Sequence, residues 1–254
     1  MLRPARRRAS HRGPRRNDVQ QYDDLVDEWW ARRGAFAMLH WIAAARASLV
    51  PPADRPDAVL VDVACGGGLM APHVARRGYR HVGVDLSPSA GRVARQRGVH
   101  VVRADAAALP LNDGCADVVV AGEVLEHVTD LSTVVAEVCR VLRPGGLLVI
   151  DTIADTWWAR FSSITLAERL PAGPPRYLHD GDLFVNRDEL RRLCAARRVD
   201  LELRGLRPSA WDYLAWLMHR RDSVRMVPVR STAGLFQGRG TKAPEPTDVR
   251  EGAT

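Results

Sequence analysis

The chain has 254 residues, 46% of them hydrophobic, and a net charge of +7. This length allows one large α/β domain with tails, or two small domains. The sequence contains no apolar run of about 18 residues, which argues against a membrane-spanning helix. The basic N-terminus is not followed by the apolar stretch of a secretory signal, so we expect a cytoplasmic protein.

The four cysteines lie far apart and form no CxxC pair: Cys65, Cys115, Cys139 and Cys194. This spacing excludes zinc-finger chemistry. Free thiols in a reducing compartment are the expectation.

Almost all of the positive charge is arginine, and seven arginines without any acid lie between positions 3 and 16. Without them the chain is close to neutral, so the overall charge is weak evidence for nucleic-acid binding. We predict a disordered basic tail over residues 1–17, which is either a solvated arm or a contact for RNA or anionic lipid.

Residues 18–50 carry apolar side chains at steps of three and four, which predicts an N-terminal helical cap. After the Pro-rich break at 51–57, short apolar runs alternate with helical patterns. Strands are predicted at 59–64, 81–84, 99–103, 116–121 and 147–152, with helices that reach residue 77 and span 87–97 and 130–142. Such alternation predicts an α/β fold with a doubly wound parallel sheet.

Residues 153–185 interrupt this rhythm and are predicted to be an insertion or lid. A helix at 187–197 and strands at 200–206 and near 230–238 follow. We therefore predict one domain over residues 18–240, with a disordered C-terminal tail at 241–254.

Three consecutive glycines, Gly66, Gly67 and Gly68, follow the first strand and open a helix, where the backbone can approach a ligand closely. Asp85 ends the next strand, where a carboxylate can accept from both ribose hydroxyls of a nucleoside. The spacing is not GxGxxG, and Asp62 precedes the loop. An acidic loop suits a cationic sulfonium better than a pyrophosphate, although the helix N-terminus by itself favours an anion.

Asp105 and Ala106 follow the third predicted strand. The carboxylate of Asp105 is placed to accept from an adenine amino group, and the N–H of Ala106 to donate to a ring nitrogen. Alternatively, Asp105 only caps a turn.

Four motifs, VDVACGGG, GVDLS, RADAAALP and LRPGG, together resemble the class I S-adenosylmethionine (SAM) dependent methyltransferases over residues 59–152. The resemblance implies a Rossmann-like, mostly parallel sheet of seven strands and SAM as methyl donor.

Longer segments, WWARRGAFAMLHWIAAAR, VACGGGLMA, EVLEHV and ERLPAGPPRYLHDGDLFVNRDEL, resemble the ubiquinone-biosynthesis O-methyltransferases. In that family the positions of Arg46, Ala64, Asp85 and Gly122 bind SAM. Ala64 stands where the family has glycine, and the family's Asn-Pro before the arginine is Ala44-Ala45 here. With the loop residues, the predicted cofactor site comprises Arg46, Asp62, Ala64, Gly66, Gly68, Asp85, Leu86, Asp105, Ala106 and Gly122.

Glu123, Glu126 and His127 follow the fourth predicted strand at spacings that share one face if the turn is helical. Such a set suits Mg²⁺ or Zn²⁺, and the resemblance implies a metal at these positions. The alternative is a metal-free role in which Glu126 and His127 brace the loop or His127 is the general base.

Residues 157–170 combine Trp157, Trp158 and other apolar side chains with arginines. They predict either a lid over the active site or a peripheral membrane contact. His179 and Asp180 resemble a His-Asp pair of the family. His179 is therefore either a second acid–base group or an ordinary loop histidine.

Together these features predict a SAM-dependent O-methyltransferase for a small hydroxylated acceptor, either catechol-like or a quinone precursor. Two alternatives are a sugar or natural-product hydroxyl, for example on a glycosylated cofactor, and a non-catalytic SAM-binding or RNA-binding module. The residues after the fourth strand, GlyGluValLeu, are unlike the Asn-Pro-Pro-Tyr pattern of enzymes that methylate base amino groups.

Overall fold

The computed structural model describes residues 16–18 and 20–244. Eight strands form one sheet in the order β3-β2-β1-β4-β5-β8-β6-β7. In chain order they are β1 (Val59–Val63), β2 (Arg80–Asp85), β3 (His100–Arg103), β4 (Ala116–Gly122), β5 (Leu142–Ile153), β6 (Val199–Pro208), β7 (Met226–Val229) and β8 (Leu235–Lys242).

The first five strands run parallel, and β8 inserts antiparallel between β5 and β6. The predicted doubly wound, mostly parallel α/β sheet is confirmed. It has eight strands rather than seven, because the short β7 pairs with β6 at the edge of the sheet. Pro228 lies within β7 and obscured this strand in the sequence, since proline is tolerated only in edge strands.

The helices are α1 (Gln20–Asp24), α2 (Ala37–Ala47), α3 (Ala71–Val74), α4 (Pro88–Arg95), α5 (Leu131–Val141), α6 (Trp157–Ala159), α7 (Arg187–Ala196) and α8 (Ala210–Leu217). The helix predicted to reach residue 77 is only the four-residue α3, and α8 was not predicted. None of the helices in the described part of the chain is long and apolar enough to cross a membrane.

The central strands β1 and β4 are apolar except for one buried aspartate in each, Asp62 and Asp117, because both of their faces are covered. On one face, Val61 and Val119 pack in a cluster with Val138 of α5 and Leu190 of α7. On the other face, the cluster is built by Leu60, Val118 and Val120 of the strands with Ala43, Ala47, Met70 and Trp29.

Side-chain caps fix where the helices begin. The hydroxyl of Ser87 accepts from the N–H of Ala90 at the start of α4, and the carboxylate of Asp130 accepts from Thr133 at the start of α5. Because β1, β2 and β4 are parallel neighbours, their carboxyl ends lie at the same edge of the sheet. Ligands of open α/β folds bind at this edge.

The described residues extend a short way into both regions predicted as tails. Strand β8 continues through Lys242, whose ammonium donates to the carbonyls of Cys139 and Leu142 at 2.7 Å each. At the other end, Arg16 and Asn17 make specific contacts described below. The remaining positions of the two predicted tails, 1–15 and 245–254, lie outside the described residues. The four cysteines are free thiols, as predicted.

Candidate active site

A cavity of about 260 Å³ opens at the carboxyl ends of the parallel strands. Nine of the ten predicted cofactor residues and three of the four predicted catalytic or metal residues line it: Arg46, Asp62, Ala64, Gly66, Asp85, Leu86, Asp105, Ala106, Gly122, Glu123, His127 and His179. Two predicted site residues, Gly68 and Glu126, do not line the cavity.

Gly122 lines the cavity and lies against the guanidinium of Arg46. Gly68 faces away from the cavity. Its φ of +78° and the approach of Ala94 to 3.0 Å from a built Cβ show that it serves the packing of the loop on α4. Glu126 is fully buried behind the wall.

The glycine loop is covered by an aromatic side chain that the sequence did not indicate. A Cβ built on Gly66 would lie 2.4 Å from the Trp29 indole, and one built on Gly67 would lie 2.6 Å from it. The indole N–H of Trp30 donates to the carbonyl of Gly67 at 3.0 Å. Glycine at 66 and 67 is therefore required for the cap residues to pack on the loop.

Asp85 joins the ends of β1 and β2. Its two carboxylate oxygens each accept one backbone N–H at 2.8 Å, from Gly66 and from Ser87. Burial raises the pKa of Asp85, and the two N–H donors oppose this rise. Since a carboxylate has about four acceptor positions, two are left for other donors.

The two other predicted acidic positions differ in burial. Asp62 is buried, and its carboxylate lies 3.3 Å from Nε2 of His81. Asp105 is exposed and accepts from the N–H of Ala107 at 2.9 Å, so it caps a turn while it also lines the cavity.

Arg46 is held by a partner that was not predicted. Its Nε and Nη2 donate to the two carboxylate oxygens of Asp151 at 2.6 Å each, and both side chains are buried. Burial alone lowers the pKa of Arg46, but the charge and hydrogen bonds of Asp151 outweigh it and raise the pKa overall. A Cβ on Gly122 would lie 1.8 Å from the guanidinium carbon. The sequence signal that could have identified this partner is an acidic residue, Asp151, inside the apolar run of β5.

The segment after β4 is not an α-helix. Glu123 has a left-handed φ of 52°, and only Leu125–His127 form a short 3-10 turn. The predicted common face for Glu123, Glu126 and His127 is therefore wrong, because the α-helical spacing does not apply. The backbone N–H of Glu123 instead donates to the carbonyl of Asp151 at 2.9 Å.

The structure brings Glu126 and His127 together with His179 from the insertion. One ligand atom from each of the three lies within 4.8 Å of the other two. His179 thus takes the place in the cluster that the sequence assigned to Glu123. The two imidazoles stack with centroids 5.4 Å apart.

Burial decides the protonation of this cluster. It lowers the pKa of His127 to about 4, and burial with the nearby charges of His127 and Arg16 lowers that of His179 to about 3. Burial also raises the pKa of Glu126 to about 7, although the hydroxyl of Thr152 donates to it at 2.6 Å. The pKa of Glu123 is raised by burial and then by Glu126 and Asp151. Both imidazoles are therefore neutral near pH 7.

Three buried polar atoms at this position have no hydrogen-bond partner among the described residues. They are Oε1 of Glu123, Oε1 of Glu126 and Nδ1 of His179. Unpaired buried polar atoms are costly, and these three can each still take part in a hydrogen bond or bind a ligand.

Two residues of the N-terminal segment also reach the cluster, and the sequence analysis missed both. Asn17 contacts His127, and the hydroxyl of Tyr22 lies 3.3 Å from Nε2 of His127. The Tyr22 ring stacks with Trp29 and Phe36 at centroid distances of 6.0 Å. A tyrosine in an amphipathic helical segment is normally interpreted as a core residue, so no local pattern indicated that Tyr22 contacts the site.

The insertion forms the roof of the cavity with Ser163, Ala167, Pro174, Pro175, Leu178 and His179. It contains α6 and a π-helical stretch, Arg160–Leu166. Asp180 caps the turn that follows, with its carboxylate accepting from Asp182 at 3.1 Å. Side chains on the outer face of the insertion are exposed, above all Trp157 at 77%.

The fold has close counterparts among solved structures. A SAM-dependent methyltransferase of Thermotoga maritima superposes with a TM-score of 0.59 at 19% identity, covering 88% of this chain and 97% of that one. The geranyl diphosphate C-methyltransferase of Streptomyces coelicolor gives 0.56 at 20% identity, with 82% of each chain covered. A family model described as a methyltransferase domain matches residues 61–150.

The sheet order, the glycine loop and the acid after β2 together define a class I SAM-dependent methyltransferase. Among curated proteins, the ubiquinone biosynthesis O-methyltransferase of Cupriavidus pinatubonensis is 30% identical over 225 residues, covering 85% of this chain and 90% of that protein. The enzyme of the same name from Hahella chejuensis is 33% identical over 199 residues, with 75% and 84% covered. The chain belongs to the ubiquinone biosynthesis O-methyltransferase family, whose cofactor is SAM.

Proposed function

We propose that this enzyme transfers the methyl group of SAM to a hydroxyl of a catechol-like ring, such as a quinone precursor. The observation that carries the proposal is the cluster of Glu126, His127 and His179 near the end of β4, in which the two histidines line the cavity and Glu126 is buried behind them. A mainly apolar cavity with a few converging polar groups is typical of a site for a small organic acceptor.

In this proposal SAM lies along the carboxyl ends of β1, β2 and β4. The two free acceptor positions of Asp85 take the ribose hydroxyls, and Asp105 with Ala106 contacts the adenine beside Leu86. The backbone of Ala64 and Gly66 and the carboxylate of Asp62 face the methionine part. Arg46 keeps donors on Nη1 for the cofactor carboxylate, since Asp151 takes only Nε and Nη2.

The SAM methyl is already activated, so the enzyme must align the acceptor oxygen and remove its proton. A phenolic hydroxyl has a pKa of about 10, whereas that of His127 is about 4. This difference of roughly six units corresponds to about 8 kcal/mol against proton transfer to His127. The imidazole alone is therefore a poor base for this acceptor.

The unpaired buried atoms of Glu126 and His179 fit a divalent cation. A bound cation would supply positive charge that lowers the pKa of a neighbouring acceptor hydroxyl. Glu126, His127 and His179 would hold it. One carboxylate and two imidazoles match the preference of Zn²⁺ more closely than that of Mg²⁺, which takes mainly oxygen ligands.

The test measures methyl transfer from SAM to a substituted catechol, with a monohydroxy phenol and a hexose for comparison. We expect transfer to the catechol only, its loss after exhaustive chelation, and its recovery on addition of Zn²⁺ or Mg²⁺. Glu126→Gln should behave like the chelated enzyme, whereas Glu189→Gln on the exposed side of α7 should not. Transfer to the hexose alone would support the sugar alternative, and full activity in chelator would exclude the cation.

We also propose that the enzyme contacts a membrane surface peripherally through residues 157–170. Trp157, Trp158 and Phe161 expose 77%, 46% and 47% of their surface, and Leu166 and Leu170 are also exposed. Exposed tryptophans with nearby arginines are typical of a segment that lies in a lipid interface.

Helix α8 supports the same proposal because its apolar side faces outward. Trp211 is 81% exposed, and Leu214, Leu217 and Met218 continue the same face, while Asp212 and Trp216 are buried on the opposite one. Tyr213 ties α8 to the insertion through a hydrogen bond of 2.8 Å to the carbonyl of Pro171.

Cosedimentation with vesicles that contain anionic lipid measures this contact. Replacing Trp157 and Trp158 by serine should release the protein into the supernatant, and Trp211→Ser should weaken binding further. Val102→Thr removes an exposed apolar side chain on β3 and serves as the control. Unchanged binding by the double variant would refute the assignment to this segment.

A further inference from the structure

Asn17 stands where the basic N-terminal segment meets the active site. Its backbone has a left-handed φ of 57°, and its N–H donates to the carbonyl of Tyr177 in the insertion at 3.1 Å. Asparagine tolerates this conformation better than most side chains. The segment is thus turned so that the Asn17 amide points at His127.

The two halves of the Asn17 amide make two different bonds to His127. Nδ2 lies 3.0 Å from the backbone carbonyl oxygen, and Oδ1 lies 2.6 Å from Nδ1 of the ring. A carbonyl oxygen only accepts, so the atom facing it must be the NH₂ group, which donates. The atom facing the ring is then the amide oxygen, which can only accept.

This arrangement determines the position of the imidazole proton. Because Oδ1 of Asn17 accepts, Nδ1 of His127 must carry a hydrogen. A neutral imidazole has one N–H, so Nε2 carries the lone pair of the ring and can only accept. The hydroxyl of Tyr22, 3.3 Å from Nε2, is then the donor in that contact.

The surroundings of His127 offer no other acceptor that the structure pairs with Nδ1. His179 stacks on the ring, and Glu126 bonds to Thr152 of β5. Arg16 donates to the carbonyl of His179 at 2.8 Å, so its nearest polar contact is on the insertion. Asn17 alone therefore selects the tautomer among the described contacts.

We infer that Asn17 is a positioning residue: it holds His127 as the Nδ1–H tautomer and so keeps the lone pair on Nε2, where the Tyr22 hydroxyl contacts it. The inference rests on the proposed function, in which His127 helps to hold a cation and would use this Nε2 lone pair in place of the contact with Tyr22. Residues that hydrogen-bond to a metal-binding histidine often fix the orientation and tautomer of its ring, and their loss typically reduces metal affinity or activity by about 10–100-fold.

The experiment uses the full chain with ¹⁵N-labelled histidine, and the His127 signals are assigned by comparison with His127→Gln. Long-range ¹H–¹⁵N spectra distinguish a protonated ring nitrogen from one with a lone pair. In the unmodified protein we expect a hydrogen on Nδ1 and a lone pair on Nε2. A dominant Nε2–H form would overturn the inference.

Two variants separate positioning from general stability. Asn17→Ala should give a mixture of tautomers and about 10–100-fold weaker Zn²⁺ binding by calorimetry, with SAM affinity unchanged. Asn17→Asp keeps an oxygen acceptor at Nδ1 and loses the donor to the His127 carbonyl, so it should keep the Nδ1–H tautomer at a lower melting temperature. Asn186→Ala removes the cap of α7 and should lower the melting temperature without moving the His127 signals.

An unchanged tautomer in Asn17→Ala, or a changed tautomer with unchanged Zn²⁺ affinity and methyl transfer, would refute the positioning role. The proposed function fails differently: the catechol would not be methylated by the unmodified enzyme, whatever its His127 spectrum. The spectra need no turnover, so the two failures are distinguishable.

Discussion

Arg46 of α2 and Asp151 of β5 form a buried, two-bond ion pair that lies directly under Gly122 at the end of β4. The pair links the N-terminal cap to the centre of the sheet. It also brings a predicted cofactor residue to the cavity wall, so the cap and the cofactor site depend on the same contact.

Asp151→Ala should therefore destabilise the fold strongly. It leaves the Arg46 guanidinium buried without its partner, and breaking a buried pair typically costs about 3–5 kcal/mol. Urea unfolding measures the loss. Asp113→Ala is the matched control, because Asp113 is 80% exposed where it pairs with Arg140, and surface pairs contribute about 1 kcal/mol or less. Equal effects of the two variants would contradict the prediction.

Gly122→Ala should impair the same region by a steric route. The new Cβ would meet the Arg46 guanidinium at 1.8 Å, and Arg46 and its partner Asp151 are both buried. We expect loss of SAM binding with a lowered melting temperature. Gly98→Ala tests the effect of a substitution at a positive-φ glycine with open space around it. Normal SAM affinity in Gly122→Ala would show that Arg46 can move without consequence.

Asp85→Ala should weaken SAM binding by about 2–4 kcal/mol, since hydrogen bonds to a charged group contribute roughly 1.5–3 kcal/mol each before losses. The variant also removes the acceptor for the N–H of Gly66. Asp105→Ala should have a smaller effect because Asp105 is exposed. Calorimetric titration with SAM measures both, and an unchanged affinity for Asp85→Ala would refute the cofactor assignment.

The pH dependence of stability should report the burial of Glu126. Burial raises its pKa in the folded protein to about 7, from an ordinary value of 4.5, so the folded state binds more protons than the unfolded state between these values. The contribution of protonated Glu126 to the free energy of unfolding is fully present below about pH 4.5 and is lost as the pH rises through 7.

Glu126→Gln cannot titrate, so its stability relative to the unmodified protein should rise over this window by at most about 1.4 kcal/mol per pH unit. Urea unfolding at several pH values, without added metal, measures it. A difference that is independent of pH would show that Glu126 is ionised throughout.

Deletions at the N-terminus should separate the arginine-rich segment from the site. A chain that begins at Arg16 should keep methyl transfer, because Arg16 and Asn17 retain their contacts with His179 and His127. A chain that begins at Asp18 loses these contacts and should fall to the activity of Asn17→Ala. Equal activity of the two deletions would contradict a role for Asn17, and loss in both would place function in residues 1–15.

The sequence by itself determined the α/β fold, the enzyme class and most of the cofactor wall. The comparisons confirm the fold and the class, whereas the cofactor contacts and the metal stay predictions. These features were readable because their signals are local. Alternating apolar runs predict the strands, and Asp85 follows its strand directly. Ubiquinone-biosynthesis motifs such as EVLEHV likewise carry their information within a few residues.

Only the tertiary structure decided which distant side chains meet. Arg46 and Asp151 are 105 positions apart, and Asn17 and His127 are 110 apart. His179 belongs to the cluster because the insertion folds back over the end of β4. Glu123 lies outside it because its left-handed backbone breaks the helical spacing. Strand order and loop conformation set these contacts, and they depend on packing across the whole sheet, which no local pattern records.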